Sequence, residues 1–506
     1  MQLVLLAALA GTLASAQLHK AVLPAHDLAR RQATATTAAT GSTRTAAAAT
    51  RTTSAPAASS GVPTGGRVSA KPLESLSSIG TTTTAEATQA LPTTFAAGAT
   101  PPVSGAPTLP NIGTLNPANY PPLDRLPPID SPEVQEWLSQ IDLANVPDFS
   151  PTGLNGCANS TFNAEALAKA GSAGRCWCTR ATDITYCPRK EDWGASFDDG
   201  PSPYTPRLLN LLESQGLKST FFIVGSRAIS RPEMVQTEYM LGHQLSVHTW
   251  AHPALTTLTN EEIVAELGWT MKVIKDVTGV TPNTFRPPYG DIDDRVRYIA
   301  LQMGLRPIIW TTYNNDVFDT RDWQIGGGVV TAPDVYTRFD TFLNQASSSL
   351  SSGFIVLAHD LYQQSVDLAV DYILPNVINA GRLQIKTIAS CLGQSLEQSY
   401  IETANFTSDD LVQTTSTVVG ATGSGFVSGV GLIADPTASA SRGSEGTSSS
   451  AAAGSSSISG SRSASSGGPA ASQSAGGSGG TSGGALGAQV AGAVVLGAAL
   501  VVALLQ

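Results

Sequence analysis

Charge is scarce in this chain. Only 13% of its 506 residues are Asp, Glu, Lys or Arg, and 6% are aromatic, where an ordinary soluble protein carries roughly 25% charged residues. The 29 basic residues are outnumbered by 39 acidic ones, which excludes a general basic surface and with it a nucleic-acid partner. Cysteine is rare as well. Four of the five (Cys157, Cys176, Cys178 and Cys187) crowd together, and Cys391 stands alone. Their spacing lacks the C-x-x-C pairs of a zinc cluster. In a secreted chain they read as disulfide formers, and a bridge from Cys391 to the early group would tie the ends of a domain together. The odd count leaves at least one thiol without an intrachain partner.

The core-forming residues that are present are concentrated. Six of the seven Trp and all five Cys lie between residues 150 and 400. Length alone would allow about three domains, but this distribution predicts one domain of about 250 residues, a size that buries a full core. We assign it to 130–405, with its motif-bearing part at 190–395.

Outside it the composition is simple. Residues 17–125 are rich in Thr, Ala, Ser and Pro, and 406–484 in Ser, Gly and Ala. Such segments bury too little apolar surface to offset chain entropy, so a disordered stalk and linker are predicted, of the kind that carries O-glycans in secreted proteins. The apolar run at 1–16 ends in Ala14-Ser15-Ala16, the pattern of a secretory signal peptide. Arg30-Arg31 is a candidate processing pair. Residues 485–506 form an uncharged apolar tail behind a Gly/Ser spacer containing Ser474-Ala475-Gly476. Small residues, spacer and tail together predict a glycosylphosphatidylinositol (GPI) anchor, with Ser474 as attachment candidate and the tail removed. The expected location is secreted, GPI-anchored at the cell membrane and facing the cell wall. Asn159-Ser-Thr and Asn405-Phe-Thr are N-glycosylation sequons.

The central region alternates strand and helix patterns. Strand candidates are Trp193–Phe197, Ser219–Val224, Gln244–His248, Pro307–Thr311 and Phe354–Ala358. Helix candidates are Thr205–Gln215, Thr259–Thr278 with a Thr259-x-x-Glu262 capping box, Asp291–Met303 and Ser365–Asn379. A short helix after Ser131 carries Trp137, which is expected to dock on the domain edge. This alternation implies an α/β fold with a parallel sheet, most economically a (β/α) barrel, whose chemistry sits where strands end.

Four of the six His fall in the domain: His243, His248, His252 and His359. His248 and His252, four apart in HTWAH, have the spacing of a divalent-metal pair and need a third ligand. SFDDGPS offers Asp198 and Asp199 at a strand end, where one can bind metal and its neighbour, pointing elsewhere, can act as a base. In RPPYGD, Arg286 can pair with a carboxylate and the turn can present N–H groups to an oxyanion. His359 ends an apolar strand, a catalytic position in a barrel, whereas His243 reads as structural.

SFDDG, HTWAH, RPPYGD, DTRDW and IVLAHD, in this order over roughly 165 residues, resemble the five motifs of the polysaccharide deacetylases, also called the NodB-homology domain or carbohydrate esterase family four. The first begins with Ser196 where many members have Thr, a change expected to matter little. The resemblance covers about 190–395 and implies a deformed (β/α) barrel. It implies that Asp199, His248 and His252 hold a divalent metal, Zn²⁺ before Co²⁺; that Asp198 is the general base, oriented by Arg286; and that the backbone N–H of Tyr289 stabilises the oxyanion. It further implies that His359 is the general acid, supported by Asp322, and that Trp323 and Leu357 line the acetyl pocket. The expected function is hydrolysis of N-acetyl groups on N-acetylglucosamine units of chitin or its oligomers, giving chitosan and acetate. The alternatives are another acetylated wall polysaccharide, or a non-catalytic chitin-binding wall protein. If the anchor assignment holds, deletion of residues 485–506 releases the protein into the medium, and fractionation that still finds it on membranes refutes the assignment.

Overall fold

The computed structural model describes residues 67–83, 89–154, 156–158 and 179–404. The expectations for 1–16, 406–484, 485–506, Arg30-Arg31, Asn159, Asn405 and Ser474 fall outside the described residues.

The parallel strands are short and mostly buried on both faces, the mark of a sheet covered on each side. Five of them, β2 (Ser196–Asp198), β3 (Thr220–Ile223), β4 (Gln244–Val247), β5 (Thr284–Phe285) and β6 (Arg306–Pro307), form one parallel sheet in that order. β1 (Asp192–Gly194) lies between β9 (Phe354–Ile355) and β10 (Gln384–Lys386), also in parallel. The two sheets join into a deformed barrel. Only Ala195 separates β1 from β2, and the chain after β9 bridges back, Asp198 against His359. The other seam is the Thr311 N–H donating to Ile355 O at 3.0 Å. An antiparallel hairpin, β7 (Thr312–Tyr313) with β8 (Asp316–Val317), is inserted at this seam. The strands expected at Pro307–Thr311 and Phe354–Ala358 keep regular pairing only at their beginnings, because the chain pairs beyond Pro307 with Ile184 and beyond Ile355 with Phe318 and Asp319.

Helix boundaries follow their caps. Ser131 Oγ accepts the Val134 N–H and starts α1 (Pro132–Ser139), and the leucines Leu208, Leu209 and Leu212 bury one face of α2 (Thr205–Ser214). α3 (Gly225–Ser230) and α4 (Pro232–Met240) connect β3 to β4. α5 (Asn260–Thr278) has the expected capping box and stops at Gly279, whose φ of +86° favours glycine. Trp137 docks as expected: it meets Trp269 edge-on at 5.6 Å, and Gly268 clears its ring, since a Cβ there would lie 2.3 Å away. α6 (Asp294–Gln302) begins later than expected because Asp293 caps it, leaving Asp291 for other contacts. α7 (Ala332–Ser348) was not anticipated. The helix expected at Ser365–Asn379 is instead α8 (Gln363–Leu368), a π-turn at Ala369–Ile373 and α9 (Leu374–Ala380). Pro375 has no N–H to continue the regular ladder. Cys391, at the end of α10 (Ile388–Cys391), bonds to Cys187 across a separation of 204 residues. That closure removes unfolded-state entropy worth about 5 kcal/mol in a chain-entropy treatment.

The stalk expectation is corrected over 67–83 and 89–125. This segment is packed on the barrel: Leu76, Val103 and Leu109 are buried in the main core. Lys71 pairs with Asp371 at 2.7 Å, and the Tyr120 hydroxyl donates to Asp276 at 2.6 Å. Its bulk composition hides a few well-placed apolar residues, and its many prolines lower the entropy lost when an extended strap is ordered. The catalytic unit therefore begins well before residue 130.

Candidate active site

All the predicted catalytic residues from the barrel strands lie at C-terminal strand ends. Asp198 ends β2 and Asp199 follows it; His248 follows β4; Arg286 follows β5; His359 lies beyond β9. Parallel register brings them together. Val247 pairs with Phe285, so the next residues, His248 and Arg286, are neighbours, and the His248 Nδ1 lies 2.7 Å from Arg286 O.

That contact sets the chemistry of His248. A carbonyl only accepts, so Nδ1 donates, and Nε2 is the ring atom turned toward the site. This Nε2 faces Asp199 Oδ1 at 3.4 Å, and His252 Nε2 lies 3.0 Å from the same oxygen. Burial above all, with His248 and Arg227 nearby, pulls the His252 pKa down against the pull of Asp199, so the neutral ring is favoured. Burial opposes charge on Asp199 too, but the imidazoles outweigh it and hold this carboxyl well below the usual range. Asp199 Oδ1 is buried and has no hydrogen bond. An ionised oxygen met by two ring nitrogens, all donor atoms within 4.8 Å of one another, fits a divalent cation of the kind bound by His and carboxylate ligands.

Beside this donor set, Arg286 Nη1 donates to Asp198 Oδ1 at 2.6 Å and to Ser196 Oγ at 3.0 Å. The Ser196 hydroxyl is therefore used. The guanidinium is fully buried, 3.9 Å from the Phe222 ring centre. Burial lowers its pKa and Asp198 supports its charge. Asp198 Oδ2 points the other way, 3.9 Å from His248 Nε2.

On the opposite wall, Asp322 grips His359 twice. Its Oδ1 is 2.7 Å from Nδ1, and its Oδ2 accepts the His359 backbone N–H at 2.9 Å. Burial works against the imidazolium, but Asp322, with Asp199 and Asp198 behind it, raises the His359 pKa to about 10. Trp323 follows Asp322 and gives it a backbone N–H at 2.9 Å. Leu357 is buried two residues before His359, and its carbonyl accepts from Thr320. Tyr289 sits in a turn at φ 62° with its ring 4.7 Å from His252 and its hydroxyl 3.2 Å from His252 Nδ1. His243 is apart from the site and accepts the Ser219 N–H at 3.1 Å, a structural contact.

Three supporting residues were missed. Arg227 donates to the Asp199 carbonyl at 2.7 Å. Asp291 receives the Thr256 N–H at 2.7 Å and the Cys157 N–H at 2.6 Å, fixing the chain that leaves His252. Glu266 holds the loop between the two histidines. A charged residue flanked by apolar ones in α5 was the available signal for Glu266; Arg227 left none.

Fold and donor set define a barrel enzyme with a metal-ready Asp–His–His centre next to a carboxylate and an imidazole. The sequence profile of the polysaccharide deacetylase family matches residues 185–308. The chain is 56% identical over 348 residues to chitin deacetylase 1 of Cryptococcus neoformans var. grubii, covering 67% of this chain and 71% of that one. It is 34% identical over 291 residues to a chitin deacetylase of Amylomyces rouxii, covering 55% of this chain and 66% of the relative. Among solved structures, a chitin deacetylase from Colletotrichum lindemuthianum aligns at 26% identity and a TM-score of 0.39, over 44% of this chain and 97% of that one. The chain belongs to the polysaccharide deacetylase family, and it is an enzyme. If the donor set is read correctly, Asp199→Ala and His252→Ala abolish Zn²⁺ binding in calorimetric titration while the fold survives. Wild-type affinity in either variant refutes the assignment.

Proposed function

We propose that the chain hydrolyses N-acetyl groups of N-acetylglucosamine units in chitin, releasing acetate and leaving chitosan, with a divalent cation, Zn²⁺ before Co²⁺, on Asp199, His248 and His252. The observation that carries this reading is the pairing across the site: Asp198, held by a buried guanidinium, is the bridge partner of His359, which is held protonated. A carboxylate paired with a buried guanidinium, facing a buried imidazolium beside a metal-ready donor set, is what amide hydrolysis requires. The names of the two relatives point to chitin as the substrate.

When bound, the cation supplies Lewis acidity that activates a water and polarises the amide carbonyl. Asp198 then acts through Oδ2, since Oδ1 is engaged by Arg286, and removes a proton from the attacking water. The water oxygen bonds to the carbonyl carbon, and the Tyr289 backbone N–H donates to the oxyanion. His359 gives its proton to the sugar nitrogen as the carbon–nitrogen bond breaks. The products are acetate and the amine. Trp323 and Leu357, on either side of the Asp322–His359 pair, receive the acetyl methyl. A secreted, GPI-anchored, wall-facing location fits this substrate and rests on the sequence alone.

Acetate release from a soluble N-acetylglucosamine oligomer tests the activity. We expect release by the wild-type chain and its loss with chelator, with Asp198→Asn still binding metal but turning over at least about 100-fold more slowly. Wild-type turnover by Asp198→Asn would show that another group is the base.

The acid has its own signature. His359 works protonated, so activity falls as pH rises through its pKa. Asp322→Asn removes the strongest of the charges that raise that value, so the alkaline limb of kcat should move to lower pH. An unmoved limb, measured on the purified variant, contradicts the acid role.

A further inference from the structure

We propose that Glu266 is a positioning residue for the metal ligands, its carboxyl setting the spacing of His248 and His252 by holding the backbone between them. The inference rests on the metal-site reading above. Glu266 lies in mid-α5 and is fully buried. Its Oε2 accepts two consecutive N–H groups, Trp250 at 2.7 Å and Ala251 at 2.9 Å.

The backbone of this loop cannot supply those acceptors itself. Thr249 and His252 have φ of 65° and 62°, so the segment is not helical, and its buried N–H groups need partners from elsewhere. The remaining polar groups of the loop are held as firmly. Thr249 O accepts from Gly225 N at 2.9 Å, and Trp250 O from Ser226 N at 3.1 Å. His252 N donates to Thr249 Oγ1, and the Trp250 indole N–H donates to Pro122 O. Of these supports, Glu266 alone grips two adjacent N–H groups with one atom. Moving it displaces the turn that separates the two imidazoles, and a three-ligand cation site is sensitive to that separation.

Burial pushes the Glu266 carboxyl up to about 8 against the pull of those N–H groups and of the Thr249 hydroxyl. The group is therefore mainly neutral near pH 7. A glutamine is close to isosteric with that form and keeps one accepting oxygen.

The test uses the full chain, stripped of metal, with E266Q, E266D and E266A. Zn²⁺ affinity is measured by competition with a chromophoric chelator, and ligand geometry by the absorption spectrum of the Co²⁺ form. We expect E266D and E266A to lose about 10–100-fold in Zn²⁺ affinity, as supporting contacts to metal ligands commonly do, with a shifted Co²⁺ spectrum. E266Q is expected to match wild type in both. If E266A does not fold, E266D decides. A folded E266D with wild-type affinity and spectrum overturns the proposal, as does an E266Q as defective as E266D. A wild-type chain that binds neither ion overturns the metal-site reading itself, which separates the two failures.

Discussion

The site depends on one buried ion pair. Arg286 is fully buried, and its Nη1 meets Asp198 Oδ1 at 2.6 Å. Taking either charge out of water costs several kcal/mol even after relaxation, so each is tolerable only beside the other. The same residue fixes the first histidine through its carbonyl, which receives His248 Nδ1–H. Side chain and backbone of Arg286 thus hold the proposed base and a proposed ligand at once. Its own position comes from the sheet: its N–H donates to Val247 O at 2.9 Å, in the parallel register of β4 and β5. A slip of that register would move base and ligand together.

The ligand loops show where the fold accepts strain. Asp199, Thr249, His252 and Tyr289 all have φ between 62° and 76°. Residues other than glycine held in such regions cost about 1–3 kcal/mol each and persist where surrounding contacts over-determine them. Here the short helix α3 supplies many of those contacts. Gly225 and Ser226 donate to the carbonyls of Thr249 and Trp250, and Arg227 donates to that of Asp199. Three successive residues therefore span the loops of all three proposed metal ligands. Gly225 has to lack a side chain, because a Cβ would lie 2.5 Å from the Trp250 ring.

Much of this was legible in the sequence because the informative signals were local. Thr259-x-x-Glu262 marked the start of α5, and apolar runs ending in Asp or His marked strand ends with chemistry. The joining of Cys187 to Cys391 matched the bridge expected between Cys391 and the early group. Long-range contacts were not legible. The strap at 67–83 and 89–125 looked like linker because three apolar side chains, Leu76, Val103 and Leu109, anchor it among residues of simple composition. The breaks in the expected strands at 307–311 and 354–358 come from pairing with distant residues, Ile184 and Phe318 with Asp319, which leaves no local trace. Arg227 and Glu266 act on backbone groups, which have no sequence identity to recognise.

The scarcity of charge acquires a structural meaning from this. In a chain with only 13% charged residues, several charged side chains are nonetheless buried in the domain. Arg286 with Asp198, Arg297 with Asp183 and Asp294, and His359 with Asp322 are all buried and paired. Buried pairs of this kind add little net stability over an apolar core, so their number is not explained by folding alone. Two of these three pairs face the metal-ready donor set and place the proposed base and acid. The third, through Arg297, ties the segment before β1 to α6. The buried ion pairs of the domain sit where low dielectric makes each interaction stronger than it would be in water.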